Sequence, residues 1–330
     1  MEKTPKLLDL MELDDGAKRQ YIDAKSTFQA WESAVKEVRE VRGGMYWKSA
    51  GQTEYLIRTS PTNSQKSLGP RSAETESIYA NFTARKIAAE QRETDLRERM
   101  RINQRLNRAL HVGRAPGIVV DILNRLDQAG LAEYFTVVGT HALYAYEIAA
   151  GVRIMDSNAM ETRDVDLLWD TRKRVQFVSS MKVLGSSMVG ILRQVDPTFS
   201  IRSEQKYTAV NSKGFEVDIL RREAIENDPH PIRLSDDDDD FWVTQARNAG
   251  MLLNAPRFSS VIVSSAGYMA RMNTISPVTF SQFKRWLSEQ DDRENLKKTR
   301  DRRQAAVVDL LVTEYLPHLL PEAALRDTSP

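Results

Sequence analysis

The stretch Thr162-Arg163-Asp164-Val165-Asp166-Leu167-Leu168-Trp169 decides the fold of this chain, because it predicts a strand with two aspartates on one face. Side chains two residues apart along a strand point to the same side of the sheet. The apolar residues that alternate with the aspartates can therefore enter the core. Asp164 and Asp166 then project together from the opposite face.

A second segment, Phe215-Glu216-Val217-Asp218-Ile219-Leu220, repeats this alternation and adds Asp218. If the two strands are neighbours, three or four carboxylates converge on one patch. Like charges at close range disfavour ionisation, so such a patch is costly without a cation. Magnesium fits this role because it prefers carboxylate oxygens and keeps positions open for water and phosphate.

A candidate phosphate site precedes the two aspartates. Tyr134-Phe135-Thr136-Val137-Val138-Gly139 predicts a short strand that ends at glycine, and residues 141–150 predict a helix closed by Gly151. Thr140 is the expected N-cap of this helix. Glycine lets a ligand approach the backbone, and the free N–H groups and the helix dipole favour an anion.

Taken in order, these features resemble the signature of the nucleotidyltransferase superfamily, the DNA-polymerase-β-like fold. The resemblance implies that Gly139 and Thr140 hold the phosphates of a nucleoside triphosphate such as ATP. It also implies that Asp164 and Asp166 bind Mg²⁺ or Mn²⁺, and that Asp218 completes a second metal site and helps to deprotonate an attacking hydroxyl. Thr140 departs from the family's usual serine, and its extra methyl group predicts a tighter loop.

The C-terminal part resembles the helical module of bacterial nucleotidyltransferases, with strong helical patterns over residues 280–288 and 300–320. In such modules a Lys or Arg on one helix and a Lys-x-x-x-Asp on the next face the triphosphate and base. Lys284, Lys297 and Asp301 are the matching positions, and the resemblance implies that they contact the nucleotide. A solvated basic surface is the alternative interpretation of Lys284, and both remain open.

The N-terminal part predicts an amphipathic helix over residues 21–41, followed by three short strands near residues 45–48, 54–58 and 65–69. This arrangement resembles the N-terminal extension of a poorly characterised group of bacterial nucleotidyltransferase-fold proteins. The resemblance says little about the substrate.

A basic helical stretch covers residues 81–116, with nine Lys and Arg against four Asp and Glu. One interpretation is a solvated helix supported by i,i+4 pairs such as Glu93 with Arg97. The other is a basic surface that leads an RNA or DNA acceptor to the site.

Composition narrows the function classes. The 330 residues are 41% hydrophobic, which suffices for a sizeable core, and no stretch approaches the roughly 20 apolar residues of a membrane span. Since Met1-Glu2-Lys3-Thr4 does not look like a signal peptide, we expect a soluble cytoplasmic protein without a membrane partner. The absence of cysteine excludes disulfides, thiolate zinc sites and cysteine nucleophiles. A net charge of +1 does not indicate a globally basic nucleic-acid binder.

Two expectations concern the chain after Leu220, which we predict to turn helical again. The five aspartates Asp236 to Asp240 predict a solvated loop whose last members cap the next helix. Residues 261–263 fit either a short strand or the start of a buried helix.

The sequence therefore predicts an α+β protein in three parts. These are an N-terminal helical and hairpin extension (1–113), a nucleotidyltransferase core (114–235) and a C-terminal helical domain (236–330). The predicted activity is two-metal transfer of a nucleoside monophosphate from a nucleoside triphosphate to an acceptor hydroxyl. The acceptor stays open between RNA, a protein and a small molecule, and a protein partner is a further expectation. Two alternatives remain open, namely a toxin or defence effector that uses the same chemistry on tRNA or protein, and a catalytically silent nucleotide-binding module.

Overall fold

The computed structural model describes residues 9–225, 228, 232–235, 237 and 240–321. Two compact units make up the chain, a larger one of Met1–Lys18 with Leu110–Pro330 and a smaller one of Arg19–Ala109. The first four residues, and Asp236, Asp238 and Asp239 of the aspartate run, lie outside the described residues. The three-part division at residues 113 and 235 stays a prediction.

The described residues form strands and helices with the following bounds. The strands are β1 (Leu10–Glu12), β2 (Gly44–Ala50), β3 (Thr53–Thr59), β4 (Gln65–Pro70), β5 (Phe135–Val138), β6 (Val152–Ile154), β7 (Asp164–Trp169), β8 (Ser200–Ile201), β9 (Thr208–Val210), β10 (Glu216–Arg222), β11 (Ile232–Arg233), β12 (Trp242–Ala246), β13 (Arg257–Val263) and β14 (Met269–Ile275). The helices are α1 (Asp15–Glu40), α2 (Ala73–Ala109), α3 (Gly117–Gln128), α4 (Ala142–Ala150), α5 (Ser157–Met160), α6 (Arg174–Leu184), α7 (Met188–Arg193), α8 (Ala249–Asn254), α9 (Pro277–Glu289) and α10 (Asn295–Tyr315). None of the described helices combines the length and the apolar character that crossing a bilayer requires.

The smaller unit contains the expected helix and the three expected strands, which form an antiparallel sheet in the order β2-β3-β4. Within it, the indole of Trp31 donates to the buried carboxylate of Glu93 at 3.0 Å, and Arg97 pairs with the same carboxylate at 2.8 Å. Arg92 of α2 likewise pairs with Glu37 of α1 at 2.6 Å. These pairs favour the interpretation of α2 as a solvated, ion-paired helix.

The larger unit is built on a mixed sheet, which is consistent with the expected α+β class. Its described strands run in the order β11-β12-β10-β7-β5-β14-β13, and the β8–β9 hairpin pairs with the first half of β10. The parallel pairing of β7 with β10 places Asp166 opposite Asp218. On its other side β7 runs antiparallel to β5, with Val138 opposite Asp166. The expectation that the two aspartate strands are neighbours is confirmed.

Apolar packing covers both faces of this sheet. On the face that carries the aspartates, Leu168 belongs to a buried cluster with Tyr146 of α4, Phe280 of α9 and Val308 of α10. On the opposite face, the ring of Trp169 packs against Phe177 of α6, with 5.3 Å between the ring centroids. The aspartate end of β7 therefore lies at the edge of a helix-covered core.

The expectation that the chain turns helical after Leu220 is wrong for several segments. Strands β12, β13 and β14 all join the sheet, and residues 261–263 lie in the β13–β14 hairpin. Thr274 of β14 pairs with Val137 of β5, and its hydroxyl donates to the Val137 carbonyl at 2.7 Å. Strand β14 forms its hydrogen bonds with β5, which is distant in sequence, so the local sequence pattern around β14 does not reveal that it is a strand.

The last aspartate of the acidic run has a different role from the expected one. Asp240 is buried, and its carboxylate accepts from the backbone N–H groups of Met188 at 2.9 Å and Val189 at 3.0 Å. It therefore caps α7, which precedes it in the chain. It does not cap a following helix because the next element is strand β12.

We expect the partly buried ion pair between Arg114 and Glu147 to hold α4 in place. The guanidinium contacts the Glu147 carboxylate at 3.0 and 2.8 Å, and this carboxylate also accepts from the Ile154 N–H. Arg114→Met should lower the free energy of unfolding by about 1–3 kcal/mol, since the buried Glu147 carboxylate keeps the Ile154 N–H but loses its cationic partner. Denaturant unfolding measures this change.

Arg247→Met is the matched control, because Arg247 pairs with Asp292 on the surface. Its effect should stay below about 1 kcal/mol. Equal effects of the two substitutions would contradict a stabilising role of the partly buried pair.

Candidate active site

Three carboxylates converge where β7 and β10 run side by side. Asp164 and Asp166 lie on β7, and Asp218 lies on β10 directly opposite Asp166. One oxygen from each carboxylate can be chosen so that the three lie within 4.8 Å of one another. The structure thus brings together the three residues that the sequence singled out as metal ligands.

Burial and mutual repulsion make this cluster electrostatically costly. Burial raises the pKa of Asp166 to about 7, with further upward contributions from Asp164 and Asp218, while Lys284 and Arg300 oppose the shift. Burial also raises the pKa of Asp218, although Thr208 donates to its carboxylate at 2.5 Å and opposes the change. A half-buried ligand set made of carboxylate oxygens fits a hard divalent cation such as Mg²⁺ or Mn²⁺.

The fourth acidic residue near the cluster has a partner of its own. Glu216 stands opposite Asp164 in the β7–β10 register, and its carboxylate forms an ion pair with Arg202. Thr162 donates to the carboxylate of Asp164. Glu216 is thus engaged by Arg202 and does not belong to the group of three carboxylates, while Thr162 holds Asp164 in place.

Gly139 is required by its contact with Asp166. Its φ of +71° lies in the left-handed region, and a Cβ at this position would stand 2.2 Å from Oδ2 of Asp166. No real Cβ approaches an oxygen this closely. The glycine therefore serves the packing of a carboxylate as well as the turn into α4.

Thr140 does not cap α4, so this part of the prediction is wrong. The helix begins at Ala142, with His141 in the N-cap position. The Thr140 hydroxyl instead accepts a hydrogen bond from Nε2 of Gln304 at 3.0 Å, and the same nitrogen donates to the Ala159 carbonyl at 2.7 Å. Gln304 lies on α10, 164 residues along the chain, so no sequence motif could have indicated this contact.

His141 is a further residue that sequence reasoning missed. It is almost fully buried, and neither ring nitrogen has a hydrogen-bond partner among the residues that the structure describes. Burial lowers the pKa of His141 to about 4, although Asp164 opposes the shift, so the ring is neutral at pH 7. Its ring stacks on Tyr144 at 5.7 Å and lies 6.1 Å from Phe215, between centroids.

The predicted residues of α9 and α10 occupy two different environments. Lys284 and Asp301 form a buried ion pair at 2.9 Å, and the second oxygen of Asp301 holds Arg293 at 2.9 Å. Burial lowers the pKa of Lys284, while Asp301 and Asp166 oppose the shift. Lys297 is exposed, and its Nζ lies 3.6 Å from Oε2 of Glu294. The structure therefore does not bring Lys297 to the three aspartates.

Lys284 therefore supplies positive charge to the aspartate cluster, together with Arg300, which the sequence did not single out. Asp301 is fully buried, and both of its oxygens are engaged. Asp301 therefore acts on the aspartate cluster only by holding the Lys284 ammonium group in position.

Comparison with known protein families gives one match. The model of a family described as "Nucleotidyltransferase" matches residues 118–328, which is more than half of the chain. The matched region contains the turn at Gly139, the three aspartates and helices α9 and α10. No curated protein and no solved structure gave a match.

We expect Gly139→Ala to be much more costly than a glycine replacement at an open turn. A left-handed alanine costs about 1–3 kcal/mol on its own, and at Gly139 the added carbon must also displace the Asp166 carboxylate. Thermal unfolding of the ligand-free protein measures the total.

Gly130→Ala is the matched control, since Gly130 has the same φ of +71° and nothing lies within 4 Å of the position that a Cβ would take there. The difference between the two variants isolates the clash with Asp166. If thermal unfolding shows the same loss of stability for Gly139→Ala and Gly130→Ala, contact with Asp166 is not the reason for glycine at residue 139.

Proposed function

This chain belongs to a nucleotidyltransferase family, and on that basis we propose that it transfers a nucleoside monophosphate from a nucleoside triphosphate to an acceptor hydroxyl with the help of divalent metal ions. The observation that carries this proposal is the convergence of Asp164, Asp166 and Asp218. Nucleotidyl transfer is the general activity of the family. The donor, the metal and the roles of individual residues are the proposed part.

Asp164, Asp166 and Asp218 hold the metal ions in this proposal. Mg²⁺ or Mn²⁺, when bound, neutralises charge on the triphosphate and polarises the phosphoryl group that is attacked. The raised pKa of Asp166 supports this assignment, because a cation removes the repulsion that burial intensifies. The repulsion among the three carboxylates is also the physical reason why we expect the transfer reaction to depend on a divalent metal ion.

The reaction is an in-line displacement at the α-phosphorus of the nucleotide. The acceptor oxygen forms a bond to this phosphorus while the bond to the bridging oxygen breaks, and pyrophosphate leaves. Asp218 takes the proton from the acceptor hydroxyl. The hydrogen bond from Thr208 at 2.5 Å fixes the orientation of this carboxylate.

The turn at Gly139 and Thr140 binds the phosphates. The N-terminus of α4 offers a favourable dipole, although the N–H groups of residues 142–144 already donate to backbone carbonyls of the turn. Because the Thr140 oxygen already accepts from Gln304, its own proton is available to donate to a phosphate oxygen. Gln304 is therefore a positioning residue for Thr140.

Lys284 binds the charge of the triphosphate from the C-terminal helices, and Asp301 holds its ammonium group in position. Asp301 contacts Lys284 and Arg293, so its role in nucleotide binding is indirect. Lys297 reaches nucleotide only if its exposed side chain leaves Glu294. We keep Lys297 as the outermost residue of the proposed site.

The proposal is tested by following the label from nucleoside triphosphates that carry ³²P at the α position. The purified protein is incubated with each nucleotide, Mg²⁺ and total RNA, and the label is measured in RNA, in protein and in small molecules. We expect the α-label to reach the acceptor, and parallel samples with nucleotides labelled at the γ position should show no transfer. Asp218→Asn should slow transfer by about 10²–10⁴-fold, the contribution of a positioned base.

Asp292→Asn is the control, because Asp292 lies on the surface and pairs with Arg247. It should leave the rate unchanged. Transfer at the parent rate by the double variant Asp164→Asn, Asp166→Asn would show that these carboxylates do not carry the activity.

A further inference from the structure

A cleft of about 250 Å³ lies beside the β8–β9 hairpin. Its lining combines three cations, two serine hydroxyls and one acid, namely Arg193, Arg202, Lys206, Ser200, Ser203 and Asp240. None of these residues belongs to the proposed nucleotide site. The cleft is therefore a separate feature of the larger unit.

Strand pairing places part of this cleft on the face that carries the carboxylates. Thr208 stands opposite Asp218 and Val210 opposite Glu216, while Ser200 stands opposite Val210. Directly paired residues of antiparallel strands point to the same face, so Ser200 shares the face of Asp218. Neighbouring strands are about 4.8 Å apart, and Ser200 is thus about two strand spacings from β10.

Arg202 connects the cleft to the aspartate cluster. Its backbone N–H donates to the Thr208 carbonyl at 3.0 Å, and its guanidinium pairs with Glu216. The same guanidinium opposes the rise in the pKa of Asp218. Through Arg202, the lining of the cleft thus reaches the neighbourhood of Asp218, the carboxylate that we assign to the acceptor hydroxyl.

The charge of the cleft is positive. Arg202 is paired with Glu216, so Arg193 and Lys206 stand against the single carboxylate of Asp240, which accepts hydrogen bonds from Met188, Val189 and Ser235. Arg193 and Lys206 are exposed. The Phe199 carbonyl accepts from Nε of Arg193 at 3.0 Å, and the Lys206 ammonium stands 5.5 Å from the Trp242 ring centroid, so both cations are held near the cleft.

We propose that this cleft binds a phosphate group of the acceptor substrate. The inference rests on the proposed function, because that function directs the acceptor hydroxyl to Asp218. Arginine, lysine and serine side chains are the groups that recognise phosphate oxygens by charge-assisted hydrogen bonds. The phosphate belongs either to a nucleic-acid backbone or to a phosphorylated small molecule, and the experiment distinguishes the two.

The test compares the parent protein with the double variant Arg193→Gln, Lys206→Gln. Both side chains are exposed, so the fold should be retained. The control is Arg174→Gln, Lys182→Gln, which removes the same charge from a different cleft of about 660 Å³. The probes are a fluorescein-labelled single-stranded RNA of ten nucleotides and ribose 5-phosphate, with ribose as the phosphate-free reference.

We expect the double variant to bind the phosphate-bearing acceptor at least about tenfold more weakly, the effect of losing a charged hydrogen bond. Binding of nucleoside triphosphate with Mg²⁺ should be unchanged, and the control should match the parent. If RNA is the weakened probe, the salt dependence of its binding should also decrease, which identifies a nucleic-acid acceptor. Selective weakening of ribose 5-phosphate identifies a phosphorylated small molecule.

The proposal is overturned if the parent binds neither probe, or if the variant binds both as tightly as the parent does. Measuring the binding of nucleoside triphosphate with Mg²⁺ tells whether the acceptor-site proposal alone fails or whether the proposed function fails as well. A parent protein that binds triphosphate with Mg²⁺ but shows no effect at the cleft refutes the acceptor site alone. A parent that does not bind triphosphate refutes the proposed function itself.

Discussion

The parallel pairing of β7 with β10 is the constraint on which the site depends, because it sets Asp166 against Asp218. Two strands that carry aspartates at matching positions place like charges close together, and this disfavours ionisation. Other contacts of the larger unit hold β7 beside β10 despite the repulsion between the aspartates. Strand β5 supports β7 from the other side, and Gly139 leaves the space that the Asp166 carboxylate occupies.

Helix α10 connects the C-terminal part to this cluster through two buried contacts. Asp301 holds Lys284, whose charge counteracts the repulsion at Asp166, and three residues later Gln304 holds Thr140. Residues three apart lie on the same side of a helix, so one face of α10 serves both contacts. Helix α10 therefore links the position of Lys284 to that of the turn at Thr140.

Alternating polarity was enough to predict the site strands, because Asp164, Asp166 and Asp218 each follow the period of two that a half-buried strand requires. Local patterns fail for the capping role of Thr140 and for β14, and for residues 261–263 of β13 they leave a strand and a helix open. Their structures depend on partners distant in sequence, namely Gln304 for the threonine and the edge of β5 for β14. His141 was missed because an isolated histidine gives no periodic signal, and only its burial makes it notable.

The most direct test of the account is calorimetric titration of the protein with a nucleoside triphosphate analogue that carries a methylene bridge between the α- and β-phosphates. The account predicts that the analogue binds only when Mg²⁺ or Mn²⁺ is present, since Asp164, Asp166 and Asp218 need the cation before they tolerate a polyanion. Asp166→Asn should weaken this metal-dependent binding. Equal affinity with and without a divalent cation, in the parent and in the variant, would contradict the account.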